Sequence, residues 1–291
     1  MEEFSFEAIG TQWKLLSDGK IFSVEVQKKI LSRVAYFEEQ FSRFKAASEV
    51  NAFREATAGE YSITSEFHVL LSRALKLRLL TNGVYDPASA VILEHLGYDQ
   101  EYSFVAKSVP VPMIYNWQLA GQNLVLEGPT VFDFGGIGKG YCIDMIADLL
   151  KVEGFEFFLV DGGGDMYATS KADGGAYRVA LEWPGKPALA FGTVELQYQG
   201  LAVSDSLRRR FGKHHHIVDA KTRKNTKSVV GAVALGQNAW DADCATAALM
   251  QWPNTEIPQV EKEFRVQTII ITKKAGFLVS PRWSGEIFSV D

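Results

Sequence analysis

Apolar positions along the chain repeat with helical spacing in several places. Between residues 26 and 44, Ile30, Val34, Phe37 and Phe41 recur at steps of 4, 3 and 4, which predicts a helix with one apolar stripe. A second helix is predicted from Thr64 or Ser65, with Glu66 in its first turn, to Asn82-Gly83, burying Phe67, Leu70, Leu71, Ala74 and Leu75. After residue 140, Cys142, Met145, Ile146 and Leu149 share a face, and Gly154 is the expected stop. Residues 239–250 read as a short Ala-rich helix. Strands are expected at 5–17, ending near Phe134, at Phe155 to Val160, at 177–182 and at 191–197. A further strand pair is expected within 266–280, turning near Ala275-Gly276. Helices and strands are mixed without strict alternation, which predicts an α+β fold rather than a doubly wound one. No repeat, low-complexity tract or Pro/Ser-rich linker divides the chain, so one domain over 1–291 is expected.

Composition narrows the function. The chain is 47% hydrophobic and 22% charged, an ordinary globular balance. Its formal net charge of -5 gives no overall basic field, so neither nucleic acid nor an anionic membrane is an expected partner. An anionic ligand would need locally placed backbone N–H groups, a Lys or a metal. No window reaches the roughly 18 apolar residues of a membrane span. The start, MEEFSFEAIG, lacks the basic region and apolar run of a signal peptide, which predicts a cytoplasmic protein. The two cysteines, Cys142 and Cys244, fall in apolar helical patterns and read as buried free thiols.

Four segments carry candidate chemistry. In Asp133-Phe-Gly-Gly-Ile-Gly-Lys-Gly140, consecutive glycines before a helix let backbone N–H groups approach a phosphate, and Lys139 can add a full charge. The same glycines could serve only a tight turn. Walker and dinucleotide fingerprints both fail here: Asp133 and Gly140 stand where the first needs Gly and Ser or Thr, and no third Gly falls correctly for the second. Asp161-Gly-Gly-Gly-Asp165 could hold a metal or a ribose, or form an Asx-type turn. His214-His-His-Ile-Val-Asp219 offers an imidazole that can accept a proton from a hydroxyl, with Asp219 to orient it or hold a metal; it could equally be a polar surface loop. In Asp241-Ala-Asp243-Cys-Ala-Thr246, Asp243 and Thr246 share a helix face and could present two oxygens to a hard cation such as Mg²⁺, or the acids could simply favour a helix N-terminus.

The order of these segments resembles the ApbE family of FAD:protein FMN transferases. Ala8-Ile-Gly-Thr11 is similar to the family's A-M-G-T, Phe41-Ser-Arg-Phe44 with Asn51 to F-S-R-F…L-N, and Gly83-Val-Tyr-Asp-Pro87 to G-x-F-D-P. Asp133 to Gly140 resembles D-L-G-G-I-A-K-G, Val160 to Asp165 resembles V-N-L-G-G-D, and Tyr177 to Pro184 resembles W-R-V-G-I-x-x-P. His215 to Thr222 resembles H-H-I-I-D-P-R-T, and Asp243 to Thr246 falls where the family has A-D-A-L-A-T. The resemblance spans about residues 5–250. It implies a single domain of mixed or antiparallel sheets and packed helices. It also implies that FAD is the substrate, that its pyrophosphate lies near Mg²⁺, and that a Ser or Thr hydroxyl of an acceptor flavoprotein takes FMN while AMP leaves. On that basis Ile9, Tyr85, Asp133, Gly135, Gly136, Lys139, Gly163, Gly164 and Asp165 are the expected FAD contacts. His216 and Asp219 are the expected catalytic groups, and Gly136, Asp243 and Thr246 the expected metal ligands. An FAD pyrophosphatase and a non-catalytic flavin binder fit the same segments. One departure bears on the metal: the family spaces its Asp and Thr four apart, and here Ala242 stands at that Asp, leaving Asp243 or Asp241 as the candidate.

Overall fold

The computed structural model describes residues 1–253, 256–274 and 276–288. Strands β1 (Glu2–Ala8) and β2 (Thr11–Ser17) form an antiparallel hairpin, not the single strand expected over 5–17. Ile9 and Gly10 between them both have positive φ, 52° and 65°, the backbone twist that a two-residue hairpin turn requires. Ile9 adopts it against the preference of a β-branched residue.

Helix α1 (Val24–Phe41) starts at Ser23, whose side chain accepts from the Val26 N–H, and buries Ile30, Val34, Phe37 and Phe41 as the spacing predicts. It ends three residues before the expected limit, because Ser42 is extended and carries Arg43 and Phe44 away from the helix. Strand β3 (Gly59–Ser62) follows, then helix α2 (Ser65–Leu80), capped by the Thr64 hydroxyl. Leu77 is fully buried there, while Leu75 is only partly so. The short helix α3 (Ala90–His95) precedes β4 (Trp117–Ala120) and β5 (Asn123–Leu126), and β5 pairs with both β3 and β4. No strand reaches Phe134; residues 127–137 are loop, although Phe132 and Phe134 are buried.

Helix α4 (Gly138–Val152) leads through Gly154, at φ 75°, to β6 (Phe158–Asp161) and β7 (Met166–Ala168). Its buried face is Cys142, Ile143, Ile146, Ala147 and Leu150, rotated slightly from the expected one. Strands β8 (Tyr177–Trp183) and β9 (Lys186–Leu196) pair with each other, and β10 (Gln199–Asp205) returns to the main sheet. Two small ribbons come next: β11 (Arg210–Phe211) with β12 (His214–His215), and β13 (Val218–Asp219) with β14 (Lys224–Asn225). Strand β15 (Val229–Gly236), helices α5 (Ala239–Leu249) and α6 (Ile257–Phe264), and strands β16 (Gln267–Thr272) and β17 (Phe277–Val279) complete the core. Ala275, at the turn expected between the last two strands, lies outside the described residues.

The main sheet runs β1-β2-β6-β7-β10-β15-β16-β17, and every pairing in it is antiparallel. Alternate residues face opposite layers. Trp13, Leu15, Phe158, Val160, Ala202, Ala232, Ala234 and Ile270 pack with the helices. Leu159, Leu201, Val233, Leu235, Ile269 and Ile271 pack on the other face with Tyr177, Leu181, Phe191, Val194 and Leu196 of β8 and β9. The fold is therefore α+β, with a sheet buried on both faces. Among the described residues no helix is long and apolar enough to cross a membrane. Cys142 and Cys244 are free and buried.

Candidate active site

One end of the main sheet gathers the Gly-rich turns. The loop before α4 is set by Asp133, whose Oδ1 accepts from the Gly135 N–H at 2.6 Å and whose Oδ2 accepts from Arg43 Nε at 2.8 Å. The glycines of this segment divide by role. Gly135 and Gly136 are exposed, and Gly136 lies against Tyr85 and Ala247. Gly138 and Gly140 are buried packing positions. A Cβ on Gly138 would lie 3.1 Å from Phe37, and one on Gly140 would lie 2.5 Å from the Ala239 carbonyl and 2.7 Å from Asp243 Cβ. Gly140 thus lets α4 and α5 cross closely, and its own N–H donates to Asp243 Oδ2 at 2.8 Å.

The Asp161–Asp165 segment is an Asx-type turn: Asp161 Oδ1 accepts from the Gly164 N–H at 2.7 Å. Gly163 and Gly164 have φ of 80° and 103°. A Cβ on Gly163 would collide with the Thr11 side chain, so this turn fits directly against the β1–β2 hairpin that carries Ile9. Ile9 donates its N–H to Glu38 Oε1 at the mouth of a small cleft lined by Thr11 and Glu38.

Charge converges here. Asp165 is 1% exposed; its Oδ1 accepts from the Val203 N–H, and its Oδ2 pairs with the Lys139 ammonium. Lys139 is therefore engaged by a carboxylate rather than extended freely from the loop. Burial pushes its pKa down, and Asp243 opposes that shift. Burial pushes the Asp243 carboxyl up, while Lys139, the Gly140 N–H and Arg209 pull it back. Burial likewise raises Asp161, against the N–H groups of Gly164 and Gly163 and the charge of Lys139. Asp161, Asp165 and Asp243 thus share one region with Lys139 and Arg209, and the charges of Arg208 and Lys14 also reach it.

Thr246 is fully buried one helical turn from Asp243. Its hydroxyl donates to the Asp243 carbonyl at 2.9 Å and accepts from Ser204 Oγ at 2.9 Å. A hydroxyl has two lone pairs, so one remains. Ala247, which Gly136 approaches, lies four residues after Asp243 on the same helix face. Asp243 and Thr246 thus present oxygen donors on the helix that the Gly136 segment approaches. Asp241 is committed elsewhere: Arg73 and the Asn238 amide hold its two oxygens at 2.6 and 2.8 Å.

His216 is half-buried, and burial followed by the Arg209 charge lowers its pKa to about 3. Its Nδ1 is shielded from water and has no hydrogen-bond partner among the described residues, as is also true of Tyr85 Oη and both Arg43 Nη atoms. Electrostatic coupling to Asp133 links Tyr85 and His216 to the loop that Arg43 anchors. Buried polar atoms normally find partners, so this cluster carries hydrogen-bonding capacity that the protein itself does not use. Asp219 is set differently from the expectation. It closes the turn between β13 and β14, accepting from the Lys221 and Thr222 N–H groups, and no hydrogen bond among the described residues joins it to His216. Three residues were missed in the sequence: Arg209, Ser204 and Arg43. The run Arg208-Arg209-Arg210 in a net-acidic chain was a signal for the first; Ser204 carried none.

Comparison with known proteins supplies the context. The model that defines the ApbE family matches residues 9–270. An FAD:protein FMN transferase of Vibrio cholerae is 23% identical over 275 residues, covering 89% of this chain and 81% of that one. An FAD:protein FMN transferase of Haemophilus influenzae is 25% identical over 303 residues, covering 94% and 87%. The crystal structure of the ApbE protein of Thermotoga maritima superposes with a TM-score of 0.81 at 19% identity, covering 96% of each chain, and so shares the fold.

Proposed function

The chain belongs to the ApbE family, and from that premise we propose that it is an FAD:protein FMN transferase acting on a Ser or Thr hydroxyl of an acceptor flavoprotein. The acceptor oxygen attacks the phosphorus on the riboflavin side of FAD. A P–O bond to that oxygen forms, the pyrophosphate P–O bond breaks, and AMP leaves with the bridging oxygen. The hydroxyl proton passes to His216; burial and Arg209 make this ring a weak base in the free protein, and the anionic pyrophosphate of bound FAD would raise its basicity. Gly135 and Gly136 offer exposed backbone beside Tyr85, and Gly163 and Gly164 turn against the hairpin that carries Ile9. Lys139 and Arg209 supply positive charge toward the phosphates, while Asp133 fixes the loop and Asp165 fixes Lys139. Asp219 shapes the segment after His216 instead of relaying its proton.

Asp243, Thr246 and the Gly136 carbonyl are the groups that would hold Mg²⁺. When bound, the ion would neutralise pyrophosphate charge and stabilise the leaving AMP. The observation that carries this reading is the convergence of buried Asp165 and Asp243 with Lys139 and Arg209 at the Gly-rich turns, beside His216 with its unpartnered Nδ1. The test is incubation with FAD, Mg²⁺ and acceptor protein, following AMP and covalent FMN together. Equal amounts of both, appearing only with acceptor, support transfer. AMP released at the same rate without acceptor, and with no protein-bound FMN, makes the protein a pyrophosphatase instead.

A further inference from the structure

A second, larger cleft of about 860 Å³ lies beside the proposed active site. Arg210, Lys213, Arg223, Lys224, Lys227 and Lys273 line it, and no Asp or Glu does. Among the described residues, none of these cations has a carboxylate within 4.0 Å, whereas Arg43, Arg73, Arg78 and Lys139 elsewhere in the protein are each paired with one. In a chain of net charge -5, so many unpaired like charges around one concavity raise its potential sharply. Pro110, Val111, Val229 and Val230 add apolar surface to the same walls.

The cleft and the active site share one wall, the β11–β12 ribbon. Arg210 and His215 are paired across it, and both line the cleft. Arg209 and His216, which flank that pair, do not line the cleft, and the Arg209 charge lowers the His216 pKa. Ser204 bonds to Thr246 and does not line the cleft, whereas Ser206, just past the end of β10, does. Neither Lys139, Asp243, Gly136 nor any Gly of the 161–165 turn lines the cleft. Its positive charge also exceeds what a single pyrophosphate would require.

We infer that this cleft docks an acidic segment of the acceptor protein, next to the Ser or Thr that is modified. The inference rests on the transferase reading above. Carboxylates seated among the six cations would hold the acceptor chain against one side of the ribbon, and a short run of extended chain would carry the hydroxyl over its edge to His216. The apolar residues favour a polypeptide with some hydrophobic side chains over a bare anion. Charge complementarity of this kind acts mainly on encounter and selection and is screened by salt.

The test uses fluorescent peptides of equal length with a single Thr, flanked by Asp and Glu, by Ala and Gln, or by Lys, together with a single-stranded oligonucleotide of charge matching the acidic peptide. Binding to the intact protein is measured by anisotropy, and transfer of FMN by peptide mass. The acidic peptide should bind best, weaken with added salt, and lose about tenfold or more in the triple variant Lys213→Glu, Lys224→Glu, Lys227→Glu, with FAD affinity unchanged. Equal binding of acidic and neutral peptides overturns the inference. So does tighter binding of the oligonucleotide, or a parallel loss of FAD affinity in the variant, which would assign the cleft to the nucleotide. Selective binding of the acidic peptide without FMN transfer to peptide or protein would leave the docking surface standing and refute the transferase reading.

Discussion

His216 joins the two halves of the proposed chemistry, since its ring lies near Arg209 and near the loop set by Asp133. A general base acts on the incoming hydroxyl, so His216→Ala should slow transfer by about 10²–10⁴ while FAD affinity changes little. Stopped-flow transfer assays and calorimetric FAD titration separate the two; normal turnover at saturating FAD would assign the base elsewhere. With a folded pKa of about 3, below the unfolded value of 6.5, the neutral ring favours the folded state above pH 6.5. That contribution is lost as pH falls from 6.5 toward 3. In the free protein the His216 NMR signal should therefore show no titration between about pH 5 and 8, against the midpoint near 6.5 of an unperturbed imidazole. Lys139 calls for a different expectation. Because it neutralises the buried Asp165, Lys139→Ala should cost roughly 3–5 kcal/mol in denaturant unfolding, beyond any effect on FAD. Asp165→Asn in the same background should recover part of that loss. For the metal, Asp243→Ala should abolish the recovery of activity by Mg²⁺ after EDTA. Asp241→Ala should instead lower stability through the lost Arg73 pair and leave the Mg²⁺ titration unchanged; a shifted titration in that variant would move the metal to Asp241.

Among the elements, those buried on one side were legible in the sequence. The stripe Ile30, Val34, Phe37 and Phe41 and the Thr64 cap gave α1 and α2 nearly to the residue. Strands β10 and β15 escaped because the sheet is buried on both faces. In Val229–Gly236 apolar and small residues follow one another without alternation, so the period that marks a half-exposed strand is absent. The β1–β2 turn was hidden because Ile at positive φ contradicts local propensity; pairing over seven residues and the Ile9 N–H bond to Glu38 hold it there. The glycines before and within α4 were legible as a group but not by role. Gly140 belongs to the α4–α5 crossing, which brings together residues about 100 positions apart. Gly140→Ala should accordingly destabilise the fold by about 1–3 kcal/mol through overpacking, read as a lower thermal midpoint. Gly135→Ala, at an exposed position, should change stability less and FAD binding more.

Across the whole molecule, the order of motifs from Ala8 to Thr246 revealed the family before any coordinates, because the family's site is assembled from segments scattered along the chain. What the order could not reveal is which charges neutralise one another. Lys139 with Asp165, Asp241 with Arg73 and Asp133 with Arg43 are pairings made by the fold, and they leave Asp243, Arg209 and His216 to face a ligand. The proposed chemistry rests on buried carboxylates that converge with Lys139 and Arg209 at the Gly-rich turns, and on a His216 Nδ1 left without a partner among the described residues. The most direct test is intact-protein mass spectrometry of the acceptor protein of the Vibrio cholerae relative, and of flavoproteins from the source organism, each incubated with FAD, Mg²⁺ and this protein. The account predicts that an acceptor gains the mass of one FMN, with AMP released in equal amount, only when Mg²⁺ is present and not with His216→Ala. AMP appearing without any acceptor adduct, or an adduct that forms equally in EDTA, would contradict it.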